Sequence, residues 1–269
     1  MRNLLLSLAF MMPFCGFAQQ KTVTVPAAGS LSTVISVNEG RTVKYLKING
    51  ELNGTDIKYI HQMTNGKSQL SELDLSDASI IKGGESYANV GALGAMYTDN
   101  DDLASGIFSE CFSLKSIVIP NTVSSINNSA FSYCPSLSEI KTVANKNYTS
   151  ISGILYTADS TTLVRCPQAK NLVKCEIPYF VKHVNVSAFR GVKSITTVIL
   201  PSGLQDLNDY AFYGCPNIKE VISYAENPPF YENSFDANVV SKVRVKVPVG
   251  AAETYKSVEG WNGFHNITE

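Results

Sequence analysis

The side chains able to bind a metal or attack a substrate are few and scattered. The histidines are His61, His183 and His265, and none has a second His or Cys at metal-site spacing. Of the six cysteines, Cys15 lies in an apolar leader, leaving Cys111, Cys134, Cys166, Cys175 and Cys215. An odd number cannot all pair, and without a C-x-x-C neither zinc binding nor thiol–disulfide cycling is supported. Cys111, Cys134 and Cys215 each stand three residues after a phenylalanine, and Val192 takes that place after Phe189. A position that accepts either Cys or a small apolar residue reads as buried packing. Two pairings stay open in an exported chain: Cys111 with Cys134 on adjacent coils, and Cys166 with Cys175 around a short loop. G-x-S-x-G, H-E-x-x-H and phosphate-loop patterns do not occur. Carboxylates are plentiful, but the acid/base pair of a glycosidase is set by fold and not by local spacing. Asp99-Asn100-Asp101-Asp102 invites calcium; an EF-hand would need an oxygen ligand where Leu103 stands and a glycine where Ala104 stands. It reads as a solvated acidic loop. The expectation is a non-enzyme with no cofactor and no metal.

These side chains sit in a chain governed by a repeat. The phrase is Ile107-Phe108, Ala130-Phe131, Ala188-Phe189 and Ala211-Phe212, with a degenerate copy at Ser234-Phe235. Phe108 to Phe131, Phe189 to Phe212 and Phe212 to Phe235 are steps of 23 residues, whereas Phe131 to Phe189 is 58, or 23 plus 35. Six residues after the phenylalanine comes Leu114, Leu137, Ile195 or Ile218, and three further on Ile117, Ile140, Val198 or Val221. Pro120 and Pro201 follow twelve after their phenylalanines. A fixed period of this size marks a solenoid. Each unit would give one short strand whose alternate side chains face an interior, as in Leu114/Ile117/Ile119. Proline, lacking an N–H, then ends the ladder. The second half of a unit, such as Asn121–Ile126, reads as a turn or short 3₁₀ segment. Phe108, Phe131, Phe189, Phe212 and Phe235 would stack as a structural spine. One unit cannot bury its own apolar edge, so the fold class expected is a β-rich repeat solenoid with few helices and an atypical cap at each end.

The phenylalanine phrases, with Pro120, Pro178 and Pro201, resemble the BspA-type leucine-rich repeats of secreted and surface proteins of anaerobic bacteria. Leu70-Ser-Glu-Leu73-Asp-Leu75 fits the general leucine-rich phrase as well, and Val43-x-x-Leu46-x-Ile48 more loosely. The solenoid is therefore placed at 41–248, with an N-terminal cap at 19–40 and a C-terminal cap at 249–269. The resemblance implies adhesion to host or bacterial surface components.

The remaining segments read in order. Residues 1–18 carry Arg2, the apolar stretch Leu4–Phe14 and a small-x-small end at Gly16-Phe17-Ala18, the pattern of an export signal. The stretch is too short to span a bilayer. Phe14 before Cys15 makes a poor lipid-attachment site. Net charge is −1, or −2 without the leader (21 basic, 23 acidic), so nothing argues for nucleic acid as a partner. Ile57, Ile60 and Met63 predict a short helix within 52–69. Residues 80–106, rich in glycine (Gly83, Gly84, Gly91, Gly94), read as a loop insertion. Residues 144–170 read as an extended coil holding a hairpin of Gly153–Tyr156 and Thr162–Arg165. Val243–Val247 alternates as a strand with its basic residues outward. Tyr255, Trp261, Phe264 and Ile267 seal the end of the array, unless Trp261 serves instead as a carbohydrate platform.

On a single sheet, the outward column would be Lys47, Asp74, Val118, Lys141, Glu176, Ile199 and Ile222, flanked by Ser116, Glu139, Lys174, Thr197 and Glu220. Exposed aliphatics at Ile199 and Ile222 would exceed what a solvated face needs, unless they pack across strands. Three functions fit: an exported protein binding a protein or other cell-surface macromolecule through this face; a structural periplasmic or envelope protein; and a glycan or peptide hydrolase on a repeat scaffold. The first is favoured, with the protein at the cell surface or secreted and no transmembrane segment.

Overall fold

The computed structural model of the protein describes residues 19–89, 94–231 and 233–269. The leader, with Cys15, lies outside the described residues, as does Gly91. Strands dominate, and the helices are few and short; the longest, Gly54–Thr64, has 11 residues.

The strand following each aliphatic phrase joins a parallel sheet. In the first sheet the strands Gln20–Thr24, Tyr45–Leu52, Glu72–Asp74, Ser116–Val118 and Glu139–Lys141 lie side by side, with Gln20, Tyr45, Glu72, Ser116 and Glu139 in register. The parallel stack thus begins at Gln20, earlier than residue 41. Residues 19–40 also hold short helices at Leu31–Val34 and Val37–Thr42 besides their strand. In the second sheet Lys174–Glu176, Thr197–Leu200, Glu220–Ser223, Arg244–Lys246 and Asn266–Thr268 keep Lys174, Thr197, Glu220, Arg244 and Asn266 in register. The odd-even rule holds: Ile117, Ile140, Cys175, Val198, Val221, Val245 and Ile267 are buried, and their neighbours Ser116, Glu139, Lys174, Thr197, Glu220, Arg244 and Asn266 are not.

The second half of each unit differs from the turn expected there. Ser125–Ile126, His183–Val184 and Asp206–Leu207 are two-residue strands. Thr162, His183, Asp206 and Phe230 lie in register along a further parallel ladder. Steps of 21, 23 and 24 residues bring each of these onto the next coil, so even two residues find backbone partners there.

The phenylalanines stand in the interior. Phe189 stacks on Phe212 at 4.7 Å and 5° between planes, and Phe212 on Phe235 at 4.9 Å and 7°. Phe108 and Phe131 form a looser pair at 5.9 Å and 15°. Between the two groups the spine is interrupted. The residue 23 before Phe189 is Cys166, whose N–H donates to Ala188 O at 2.7 Å just as Phe189 N–H donates to Ala211 O at 2.7 Å. Cys166 therefore fills the phenylalanine place, and Arg165 fills the alanine place. The Arg165 guanidinium is buried and bridges two coils, with Nη1 donating to Ser187 O at 2.6 Å and Nη2 to Phe131 O at 3.3 Å. The apolar interior divides here into two clusters, one ending near Leu155 and Val164 and the other starting at Ile154 and Cys166.

The extended coil is a three-stranded antiparallel unit, Tyr148–Ile151, Ile154–Thr157 and Thr162–Arg165. It stands against the edge of the first sheet, where Ile140 N–H donates to Gly153 O at 3.0 Å. Residues 80–106 are not a bare loop. Gly83–Asn89 and Ala95–Thr98 pair as antiparallel strands, and Asp102–Leu103 pairs with Ser125–Ile126. The hairpin seats on the helix Gly54–Thr64 through close backbone approach: a Cβ on Gly54 would lie 2.0 Å from Glu85 O, so only glycine fits. At the far end, Trp261 is fully buried, its Nε1–H donating to Pro229 O at 2.8 Å, with Tyr255 edge-on at 5.0 Å. A ring with no free face cannot serve as a carbohydrate platform, so that reading is set aside.

Candidate functional site

Parallel pairing sets out the expected outward column, but in two pieces. Lys47, Asp74, Val118 and Lys141 are in register on the first sheet, and Glu176, Ile199 and Ile222 on the second, where Lys246 extends the row. Among the described residues no ladder joins Glu139–Lys141 to Lys174–Glu176. The single-sheet stripe is thus divided, because the antiparallel unit occupies the edge that a next strand would have used. Lys246 was legible in the Val243–Val247 alternation as an outward residue, though its place in this row needed the register.

Ile199 is only 4% exposed and cannot act as a contact residue. Its strand lies second in the sheet, in register with Glu176 on one side and Ile222 on the other. Side chains on adjacent strands lie about 5 Å apart, close enough to cover one another, so cross-strand packing accounts for this aliphatic residue. Ile222 and Val118 are half-buried, and Glu176 and Lys141 are exposed.

The charges of this face largely answer one another. Lys47 Nζ lies 2.6 Å from Asp77 and 3.8 Å from Asp74, and Tyr45 OH donates to Asp74 Oδ2 at 3.3 Å. The hydrogen bond with Asp77 raises the Lys47 pKa. Burial works to raise that of Asp74, but the Ser76 N–H and hydroxyl together with Lys47 outweigh it and hold the carboxyl below its ordinary value. Lys141 pairs with Glu139 at 2.6 Å, and Glu220 with Lys246 at 3.2 Å and Arg244 at 3.9 Å. Exposed pairs of this kind add little stability, so they fix side-chain positions more than they hold the fold.

The five cysteines are free and buried, and neither open disulfide pairing is present. They have a role beyond packing. Cys134 Sγ donates to Phe108 O at 2.9 Å and Cys215 Sγ to Phe189 O at 3.1 Å, a carbonyl of the preceding coil in each case, the second also accepting from Val192 N–H at 3.0 Å. Ala169 holds the equivalent position after Cys166 and has no donor, and there the Arg165 guanidinium reaches Phe131 O instead. Burial pushes the Cys166 and Cys215 thiols up to about 12 and Cys175 well above its ordinary value. Hydrogen bonding to Cys134, then burial, drives Cys111 up; the same bond lowers Cys134. We predict that none of the five reacts with a thiol reagent at pH 8 within minutes, and that all react once guanidinium unfolds the chain. Reaction of even one in the native state would contradict this burial.

Among the described residues no group of three or more His, Cys, Asp or Glu could hold a metal ion. No described helix is long and apolar enough to cross a membrane. His183 Nδ1 lies 2.5 Å from Asp206 Oδ2, and Asn208 Nδ2 donates to Asp206 Oδ1 at 2.8 Å.

This geometry is that of a leucine-rich repeat protein, rich in strand and poor in helix. Residues 164–249 match the model of the BspA type leucine rich repeat region, in six copies. That stretch is similar to BspA-type repeats, the resemblance the phenylalanine phrases carry, and it takes in Phe189, Phe212 and Phe235. None of the curated proteins matches the chain. Similar solved structures include the pneumococcal vaccine antigen PcpA, at 15% identity over 78% of this chain and 70% of that one, TM-score 0.43. A leucine rich cell surface protein from Faecalibacterium prausnitzii A2-165 shows 18% identity over 88% and 67%, TM-score 0.41. A leucine-rich repeat protein from Eubacterium ventriosum ATCC 27560 shows 16% over 78% and 68%, TM-score 0.40.

Proposed function

We propose that this is an exported, non-catalytic leucine-rich repeat protein that binds a protein or other cell-surface macromolecule through its sheet face, in surface adhesion or host interaction. The observation that carries the reading is the second sheet, five parallel strands in register, which sets Glu176, Ile222 and Lys246 at regular spacing on one surface. Repeat surfaces of this kind are extended and suit large partners. The contact residues assigned to the face are Lys47, Asp74, Val118 and Lys141 on the first sheet and Glu176, Ile222 and Lys246 on the second. In this reading 1–18 is a cleaved export signal. The strand Gln20–Thr24 and its following helices cap one end of the array, and residues 249–269 cap the other.

The test is protease accessibility on intact cells with a periplasmic protein as control. Cleavage with the control spared is the expected result, followed by binding to immobilised matrix or bacterial surface proteins. Ile222→Asp is then expected to lower that binding at least ten-fold with an unchanged far-UV CD spectrum. Protection until the outer membrane is opened would overturn the adhesin reading, and unchanged binding by the variant would overturn the face.

A further inference from the structure

The irregular coil between the two apolar clusters leaves a cleft on the turn side of the array, on columns of the repeat that the sheet face does not use. Its volume is about 720 Å³, within the range of ligand sites. The repeat explains its shape. Two residues after the phenylalanine, the first units carry Glu110 and Tyr133, but the later ones carry Gly191 and Gly214, both in the left-handed region at φ 79° and 73°. The Gln168 amide reaches over Gly191 and donates to Arg190 O at 3.4 Å, and with Ala169 and Gly214 it forms the floor. The walls rise where side chains are large: Phe112 and Tyr133 at one end, Arg190 and Tyr213 at the other.

The charge in this cleft has one sign. Lys170, Arg190 and Lys193 line it, and among the described residues no carboxylate does. None of the three cations has an ion-pair partner among the described residues, unlike the lysines of the sheet face. The Arg190 guanidinium is held over the Tyr213 ring at 5.0 Å and the Tyr210 ring at 6.0 Å. Such a cation is oriented before a ligand arrives and keeps its N–H groups for a bidentate acid. Phe112, Tyr133 and Tyr213 are 51%, 61% and 41% exposed. Their ring faces carry partial negative charge and attract the polarised C–H groups of a saccharide ring.

Three backbone N–H groups under and along the cleft are already engaged. Cys166 N–H donates to Ala188 O at 2.7 Å, Ala169 N–H to Leu137 O at 2.8 Å and Gly191 N–H to Tyr213 O at 2.9 Å. Strand addition needs such groups unpaired. Recognition here falls to ring faces and cationic tips, which together match an acidic sugar.

We propose that this cleft binds a carboxylate-bearing saccharide, with Arg190 and Lys193 taking the carboxylate and Phe112 and Tyr133 stacking on the sugar rings. The test is calorimetric titration of the protein with trigalacturonate, a hyaluronan tetrasaccharide and sialyllactose. Maltotriose and lactose serve as neutral controls and hexaglutamate as an acidic peptide. At least one acidic saccharide is expected to bind, at least ten-fold more tightly than the neutral controls and hexaglutamate, and more weakly as salt rises. Arg190→Gln, Lys193→Gln and Phe112→Ala are each expected to weaken that binding ten-fold or more with unchanged thermal midpoints. Failure of all three acidic saccharides, equal binding of hexaglutamate, or indifference to the substitutions would overturn the proposal.

Discussion

Phe212→Ala is expected to destabilise the protein by about 3–5 kcal/mol, the range for truncating a large buried aromatic. Phe212 is fully buried and is the middle ring of three, 4.7 Å from Phe189 and 4.9 Å from Phe235, near parallel to both. Its removal leaves a void with an aromatic face on either side, and neither neighbour can close it. Phe189 is tied to the backbone ladder, its N–H donating to Ala211 O, and Phe235 is held by the rings of Tyr231 and Phe264, each at 5.9 Å. The cost should therefore lie above that of Phe131→Ala, whose ring stacks at 5.9 Å on Phe108 alone, next to the interrupted coil. Trp261, the single tryptophan, is buried in the same apolar cluster as Phe212 and reports its unfolding directly. Urea unfolding followed by tryptophan fluorescence for Phe212→Ala, and by far-UV CD for both variants, would measure the difference. A loss below about 1 kcal/mol would mean that the rings fill space without bearing on stability.

The period was the legible part of this molecule. A residue type that must be buried, returning every 23 positions, leaves few architectures open, and Phe189, Phe212 and Phe235 needed only their spacing to be placed together. What the spacing hid were substitutions within the frame. Cys166 and Arg165 stand where Phe and Ala were expected, and a period search on phenylalanine skips them. The signal available was arithmetic: 58 less 23 points back 23 residues from Phe189, to position 166. Ile199 failed for a different reason. Alternation says which side of a sheet a residue faces, and burial on that side depends on what neighbouring strands carry. Glycine content made 80–106 look like loop, yet one of those glycines, Gly84, lets the hairpin approach the start of the helix, where a Cβ would meet Asn53 and Thr55. The cysteine thiols were read as packing because their polar work is on carbonyls of the preceding coil, which no local pattern displays. The cleft was hidden likewise: Gly191 and Gly214 look like turn residues until their column is aligned against Glu110 and Tyr133.

Asp56→Ala should cost about 2–4 kcal/mol, because one carboxylate serves three backbone N–H groups from two places in the chain. Asp56 is 1% exposed. Its Oδ1 accepts from Leu31 N–H at 2.9 Å; its Oδ2 accepts from Gly29 N–H at 2.5 Å and from Asn53 N–H at 2.9 Å. The Asn53 bond is half of a capping box, the other half being the Asn53 side chain, which accepts from Thr55 N–H at 3.0 Å. A capping box alone holds a helix start by about 1 kcal/mol. Here the same carboxylate also pins the turn at Gly29–Leu31, which carries the fully buried Leu31. Alanine would leave those donors without an acceptor, and the turn would lose its tie to the helix. Asn is the informative control. It keeps one acceptor oxygen but turns an NH₂ toward backbone N–H groups, so Asp56→Asn should recover only part of the loss. Hydrogen exchange separates this from a general loosening: faster exchange is expected at Leu31 and over the first turn of Gly54–Thr64, with the second sheet unchanged. If Asp56→Ala unfolds at the wild-type midpoint, the first strand and its helices are held by apolar burial alone, and the carboxylate is only a passenger.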